Sequence, residues 1–196
     1  FYSDMKKRVA AEGRRPDQVL ILPGLCPTIA STEAEAKQLL LELSNYADVE
    51  IAVKYLGTWF GGHDFSHLPL DRPLTVADFP DLSNIETSKS RTEMVINLIK
   101  REEITLRELL ARFAHIGGHY LFAGTAEQVA DLIEDWFLDG AADGFNLMPP
   151  LLPTMLDIFI DEVVPLLQRR GLFRTEYQGT TLREHYGLER PASVFV

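Results

Sequence analysis

The chain has 196 residues, 46% of them hydrophobic and 24% charged, and its 13 Gly and 11 Pro follow no period, which excludes a wholly disordered, collagen-like or low-complexity protein. Asp and Glu (29) outnumber Lys and Arg (19), giving a formal net charge of −10, so no role on nucleic-acid backbones or anionic membrane surfaces is expected. A single cysteine, Cys26, excludes an internal disulfide and a cysteine-cluster zinc site, and suits a reducing cytoplasm.

In chain order, Met5 to Glu12 reads as a helix closed by Gly13, and a chain that enters a helix at once, without an initiating Met, is expected to be a piece of a longer protein. Val19 to Leu22 reads as a buried strand. Pro23 Gly24 Leu25 Cys26 Pro27 then reads as the loop after it, where Cys26, with nothing basic nearby, is expected to be an inert thiol. Thr32 and Glu35 form a capping box, in which the hydroxyl caps the helix and the carboxylate reaches back, opening a helix to about Asn45. Between Asp48 and Ser88 the periodicity fails: Gly57, Gly61, Gly62, Pro69, Pro73 and Pro80 interrupt a stretch that holds Trp59, Phe60, Phe65 and Phe79. A long irregular segment of that aromatic content is expected to be a functional lid.

A helix is expected from Thr87 to Glu102, with Met94, Val95, Leu98 and Ile99 on one face, and a second capping box at Thr105 and Glu108 opens another. Tyr120 to Ala123 reads as a strand, followed by a helix that starts at the Thr125–Gln128 box and stops at Gly140. Gly144 to Met148 reads as a third strand, followed by a helix from about Pro153, and Thr181–Glu184 starts a short last one. The most apolar run, Met155 to Leu167, is broken by Asp157, Asp161, Glu162 and Pro165 and is too short to span a membrane. Short apolar strands alternating with amphipathic helices indicate α/β architecture with parallel strands. Three strands cannot close a barrel, and a (β/α)8 barrel takes about 250 residues. The expectation is therefore the C-terminal part of a (β/α)8 TIM barrel with an irregular lid insertion at about 48–88. A doubly wound dinucleotide fold would need a glycine fingerprint that is absent.

The best candidate for chemistry is His63, in Gly61 Gly62 His63 Asp64 Phe65. It is read as a general acid/base or substrate hydrogen-bonding group on the lid, with the glycines letting it move, against the alternative of a loop histidine facing water. His63–His67 and His115–His119 have the four-residue spacing of helical metal ligands, but neither pair looks helical and no metal is expected. Asn146 is placed near the C-terminal end of its strand, where barrel enzymes carry functional groups, against the alternative of an Asn satisfied by a neighbouring loop; Asp143 is expected to cap or pair locally.

Thr125 to Asp131, Gly140 to Leu147, and Phe159 to Arg174 resemble the C-terminal half of luciferase-like FMN-dependent monooxygenases, in the group that includes nitrilotriacetate monooxygenase component A, dibenzothiophene-sulfone monooxygenase, long-chain alkane monooxygenase and pristinamycin synthase subunits. Thr175 to Glu184, Leu22 to Leu25 and Thr105 to Leu109 continue the resemblance over nearly all of residues 1–196. It implies a barrel with an insertion over its mouth. It further implies reduced FMN supplied by a separate NAD(P)H:flavin reductase, O2 as co-substrate, and a small organic substrate, in a cytoplasmic homo-oligomer. His63 matches the family's pocket histidine, with Trp59, Phe60, Asn146 and Met148 placed against substrate. The flavin-contacting residues of the family lie in the N-terminal half, so none is assigned here, and this chain alone is expected to be inactive. Two other readings stay open: an F420- or flavin-dependent oxidoreductase of the same superfamily, and a non-catalytic half-barrel that self-associates.

Overall fold

The computed structural model of the protein describes residues 1–46, 48–84, 89–113 and 119–193. Helix α1 (Tyr2–Ala11) is followed by Gly13, which takes a φ of 72°. The first strand is not Val19 to Leu22 but β1 (Gly24–Ile29), and Leu25 to Ile29 are all buried. Cys26 and Pro27 therefore lie within a strand rather than in a loop after one. Pro23, Gly24 and Pro27 have turn-like composition, and the edges of β1 explain why Pro27 is tolerated. On one edge β3 (Asn146–Leu147) pairs in parallel, with Gly24 opposite Asn146 and Leu25 opposite Leu147, and the Met148 N–H donates to the Leu25 carbonyl at 2.8 Å. The next residue facing that edge is Pro27, which has no N–H to satisfy. Beyond it, the Ile29 N–H meets the Met155 sulfur at 3.5 Å.

The other edge of β1 carries β2 (Tyr120–Gly124), and the Ala30 N–H donates to the Gly124 carbonyl at 3.3 Å. The sheet order is thus β2-β1-β3. The strands flanking β1 are also less buried than their apolar residues suggest, with Tyr120 and Asn146 exposed.

The chain forms two compact units, Phe1–Glu33 with Phe122–Val196, and Ala34–Leu121. In the first, helix α6 (Ala126–Leu138) starts at the expected capping box: the Gln128 N–H donates to Thr125 Oγ1 at 3.3 Å and the Thr125 N–H to Gln128 Oε1 at 3.0 Å. It buries Ala126, Val129 and Ala130. The following helical run consists of α7 (Thr154–Ile158), a π-helical turn (Phe159–Val163) and α8 (Val164–Arg169). The π turn has a local cause. Pro165 has no N–H to offer the Asp161 carbonyl, and the wider turn absorbs that missing bond before α8 resumes. Arg170 then spans to α6, donating to Glu134 at 2.7 Å and Asp131 at 2.6 Å. A short α9 (Leu182–His185) follows, capped by Thr181 and Glu184.

The second unit contains α2 from its second residue (α2 is Glu33–Asn45), α3 (Val49–Trp59), α4 (Lys89–Arg101) and α5 (Leu106–Phe113). The irregular insertion expected over 48–88 is corrected in two ways. Its first part is helix α3, and the compact body that holds it runs from Ala34 to Leu121. Asp48 starts the helix by accepting from the Glu50 and Ile51 N–H groups at 2.8 and 3.2 Å. Ala52, Val53, Leu56 and Phe60 then fall on one buried face, a helical stripe that Gly57 and the later prolines obscure in the sequence. The rest of the segment is irregular but packed. Phe60, Phe65 and Phe79 stack at centroid separations of 5.1–5.4 Å, and with Val95, Ile99, Leu106 and Leu109 they make this unit's own core. Fully burying each such ring contributes about 1.5–3 kcal/mol.

Candidate functional site

His63 is placed by the end of α3. The Gly62 N–H donates to the Gly57 carbonyl at 2.9 Å, and Gly61 and Gly62 take φ values of 69° and 87°, left-handed backbone that favours glycine. This six-to-one bond across a left-handed residue is the Schellman ending of a helix. The His63 N–H then donates to the Phe60 carbonyl at 3.2 Å. The glycines expected to let His63 move instead specify one turn. The half-buried His63 ring stands edge-on to Phe65 at a centroid distance of 4.7 Å, and Phe65 is fully buried. Beside it, Asp64 accepts from the Ser66 N–H at 2.9 Å. The Ser66 backbone and side-chain hydrogen bonds, with a smaller contribution from His67 and His63, hold the Asp64 carboxyl below its usual range. An imidazole fixed on an aromatic platform beside an ionised carboxylate can give, take or share a proton at a defined position.

Trp59 and Phe60 are not free to form a substrate-facing lid surface. They are 4% and 2% exposed, respectively. Tyr55 stands edge-on to the Trp59 ring at 5.7 Å, and the Arg91 guanidinium lies 5.2 Å from that ring's centroid. Both belong to this unit's core, because burying two large rings stabilises the unit more than presenting them to water. The His67 ring lies 6.4 Å from that of His63, but among the described residues no group of three or more His, Cys, Asp or Glu side chains could hold a metal ion. Of the pair His115–His119, His115 lies outside the described residues.

Asn146 and Met148 belong to the other unit. Asn146 is the first residue of the two-residue β3, not near a strand's C-terminal end, and its Nδ2 donates to the Leu22 carbonyl at 3.1 Å. Met148 follows β3 and is half-buried. Cys26 is buried as expected, and burial pushes its thiol up to about 11, which keeps it protonated and unreactive.

Sequence reasoning missed a polar cluster that ties distant segments of this unit together. Asp143 does not pair locally. It accepts from the Tyr2 hydroxyl (2.7 Å), Lys6 Nζ (2.8 Å) and the Ile21 N–H (2.7 Å), and Lys6 also donates to the Val19 and Pro16 carbonyls. Burial works to raise the Asp143 carboxyl, but the Lys6 ammonium, the Ile21 N–H and the Tyr2 hydroxyl outweigh it and hold it below its usual range. The same bond raises the Tyr2 hydroxyl. No sequence signal links residues so far apart. Next to this cluster, Phe1, Tyr2, Ser3, Ile21, Leu22, Pro23, Trp136, Gly140 and Ala141 line an open, mostly apolar cavity of about 640 Å³. No helix among the described residues is long and apolar enough to cross a membrane.

No family model matches the chain. It is 45% identical over 193 residues to N-acetyl-S-(2-succino)cysteine monooxygenase of Bacillus subtilis (strain 168), a match covering 98% of this chain and 43% of that protein. It is 44% identical over 191 residues to nitrilotriacetate monooxygenase component A of Aminobacter aminovorans, covering 97% and 41%. It is 39% identical over 193 residues to dibenzothiophene-sulfone monooxygenase of Rhodococcus erythropolis, covering 97% and 42%. Among solved structures, riboflavin lyase (RcaE) with modified FMN and riboflavin superposes with a TM-score of 0.71 at 30% identity, over 96% of this chain and 40% of that one. DmoA from Hyphomicrobium sulfonivorans gives 0.74 at 27% identity, over 94% and 37%. The chain thus has relatives in the group its motifs resemble, and it spans about two-fifths of the length of the curated relatives it matches.

Proposed function

We propose that this chain is the C-terminal part of a luciferase-like monooxygenase of (β/α)8 barrel fold, a cytoplasmic homo-oligomeric enzyme that takes reduced FMN from a separate NAD(P)H:flavin reductase and uses O2 to oxygenate a small organic substrate. The observation that carries it is identity of 39–45% to three monooxygenases over 97–98% of this chain. The name "component A" of one relative and the modified FMN in the RcaE structure support a two-component flavin system.

Reduced FMN, when bound, would supply the electrons that activate O2. The residues of this chain do not fit as its whole binding site. The cavity beside Trp136 is lined by rings and backbone with no cation for a phosphate. Nearby Lys6 is committed to Asp143 and two carbonyls, and Arg170 to Asp131 and Glu134. The flavin contacts are therefore assigned to the remainder of the parent protein.

The chain's own contribution is His63, which moves or shares a proton at the substrate. Phe65 is its platform, packed in turn against Phe60 in the core that also holds Trp59. In the other unit, taken by itself, Met148 offers a polarisable apolar contact, and Asn146, whose Nδ2 donates to the Leu22 carbonyl, offers its oxygen. In the complete enzyme with its reductase, His63→Ala is expected to lower product formed per second by about 100-fold, with the unfolding midpoint nearly unchanged because the ring is only half-buried. Undiminished turnover would remove His63 from the site. Saturable one-to-one binding of reduced FMN to this chain alone, titrated without oxygen, would overturn the assignment of the flavin contacts.

A further inference from the structure

We infer that Gly57 and Gly62 are positioning residues for His63, locking its backbone from two sides; this rests on the reading of His63 as the site's acid/base group. Gly57 lies in the last turn of α3 and faces the returning chain. A Cβ built on it would stand 2.5 Å from the His63 carbonyl oxygen and 3.7 Å from its carbonyl carbon. The obstructing atom is backbone, so no rotamer change relieves the overlap, and the His63 peptide would have to move by about 1 Å. Gly62 fixes the same residue by another means. Nothing lies within 4 Å of where its Cβ would be, so space is not what selects glycine there. Its φ of 87° is, together with the 2.9 Å bond from its N–H to the Gly57 carbonyl. One glycine supplies room and the other supplies conformation, and both act on the peptide that carries the imidazole to Phe65.

A displacement of about 1 Å in a reacting group costs on the order of 100-fold in rate. The test uses the complete enzyme with its flavin reductase and follows kcat together with the ring-proton chemical shifts of His63 by NMR, which the Phe65 ring at a centroid distance of 4.7 Å sets by its ring current, the signal being identified by its loss in His63→Ala. Gly57→Ala and Gly62→Ala are each expected to lower kcat by roughly 10- to 100-fold and to move the His63 ring signals. Gly62→Asn, which tolerates positive φ, is expected to stay within about 2-fold of the parent. Thr58→Gly weakens the same helix turn at an exposed position and is expected to leave those signals unmoved. In a His63→Ala background the glycine substitutions are expected to cost nothing further.

Unmoved His63 ring signals in Gly57→Ala and Gly62→Ala overturn the inference, as does a full additional loss of kcat in the His63→Ala background. If Gly57→Ala does not fold, the exposed Gly62→Ala and Gly62→Asn pair decides the question. If His63→Ala leaves turnover intact, the functional reading of His63 fails, and the movement of the ring signals alone still decides whether the glycines hold the ring.

Discussion

Asp143 and Asp78 illustrate how single carboxylates hold irregular backbone in place. The side chains of Lys6 and Asp143 are only 13% and 17% exposed, and Asp143 joins α1, the segment leading into β1 and the segment leading into β3. Asp143→Asn keeps the shape but leaves a partly buried ammonium without its counter-charge. It is expected to cost about 2–4 kcal/mol in urea unfolding. A cost below about 0.5 kcal/mol would show that the cluster is incidental. Asp78 does similar work in the second unit, where it accepts from Arg72 at 2.6 Å and from the Thr75 N–H at 2.7 Å. The Arg72 guanidinium, aided by Thr75, pulls its carboxyl down to about 2 from an ordinary 3.8. Because the folded value is the lower one, this stabilisation is fully present above about pH 4 and is lost as the pH falls towards 2. The stability difference between the parent protein and Asp78→Asn is therefore expected to shrink over that window. A difference that stays constant from pH 6 to pH 2 would contradict the ion-pair account.

At the level of elements, local chemistry accounts for most starts and stops. The boxes at Thr105, Thr125 and Thr181 all form, each with a reciprocal pair of hydrogen bonds from residues three apart. Such signals are legible because both partners lie within one turn. Helix α3 escaped notice for a physical reason: its cap is an aspartate rather than a Ser or Thr box, and Gly57 sits in its apolar face. Asp48→Ala removes the acceptor for two orphan N–H groups and is expected to cost about 1 kcal/mol of stability, read by thermal unfolding. No change in midpoint would mean that core packing alone maintains the helix start. Strand β1 was displaced in the sequence reading because Val19 to Leu22 is the more apolar run. Burial of Leu25 to Ile29 instead follows from flanking segments that cover it, and Pro27 is admitted because β3 ends before reaching it.

On the scale of the molecule, the unit between Ala34 and Leu121 carries its own hydrophobic core, which includes Leu56, Trp59, Phe65, Val95, Leu106 and Leu109. A continuous segment with an independent core is expected to fold by itself. A peptide of residues 34–121 should give a cooperative thermal transition by circular dichroism, with near-ultraviolet signals from the packed aromatics. A featureless melt would mean that its order depends on the rest of the chain. The aromatic content that pointed to a lid has turned out to be the interior of this body, with His63 held at its surface.

Composition, helix periodicity and capping spacing were enough to establish an α/β chain, the helices around Thr125 and Thr105 and an inert Cys26, because each rests on residues near one another in sequence or on totals over it, while the likeness to monooxygenases rested on a resemblance of whole motifs. Only the tertiary structure decided that β1 lies between β2 and β3, that Trp59 and Phe60 are core, that Asp143 gathers Tyr2, Lys6 and Ile21, and that Gly57 makes room for the His63 carbonyl. Those facts depend on contacts across turns or across the length of the chain, and pairing at a distance leaves no periodic trace in the order of the residues.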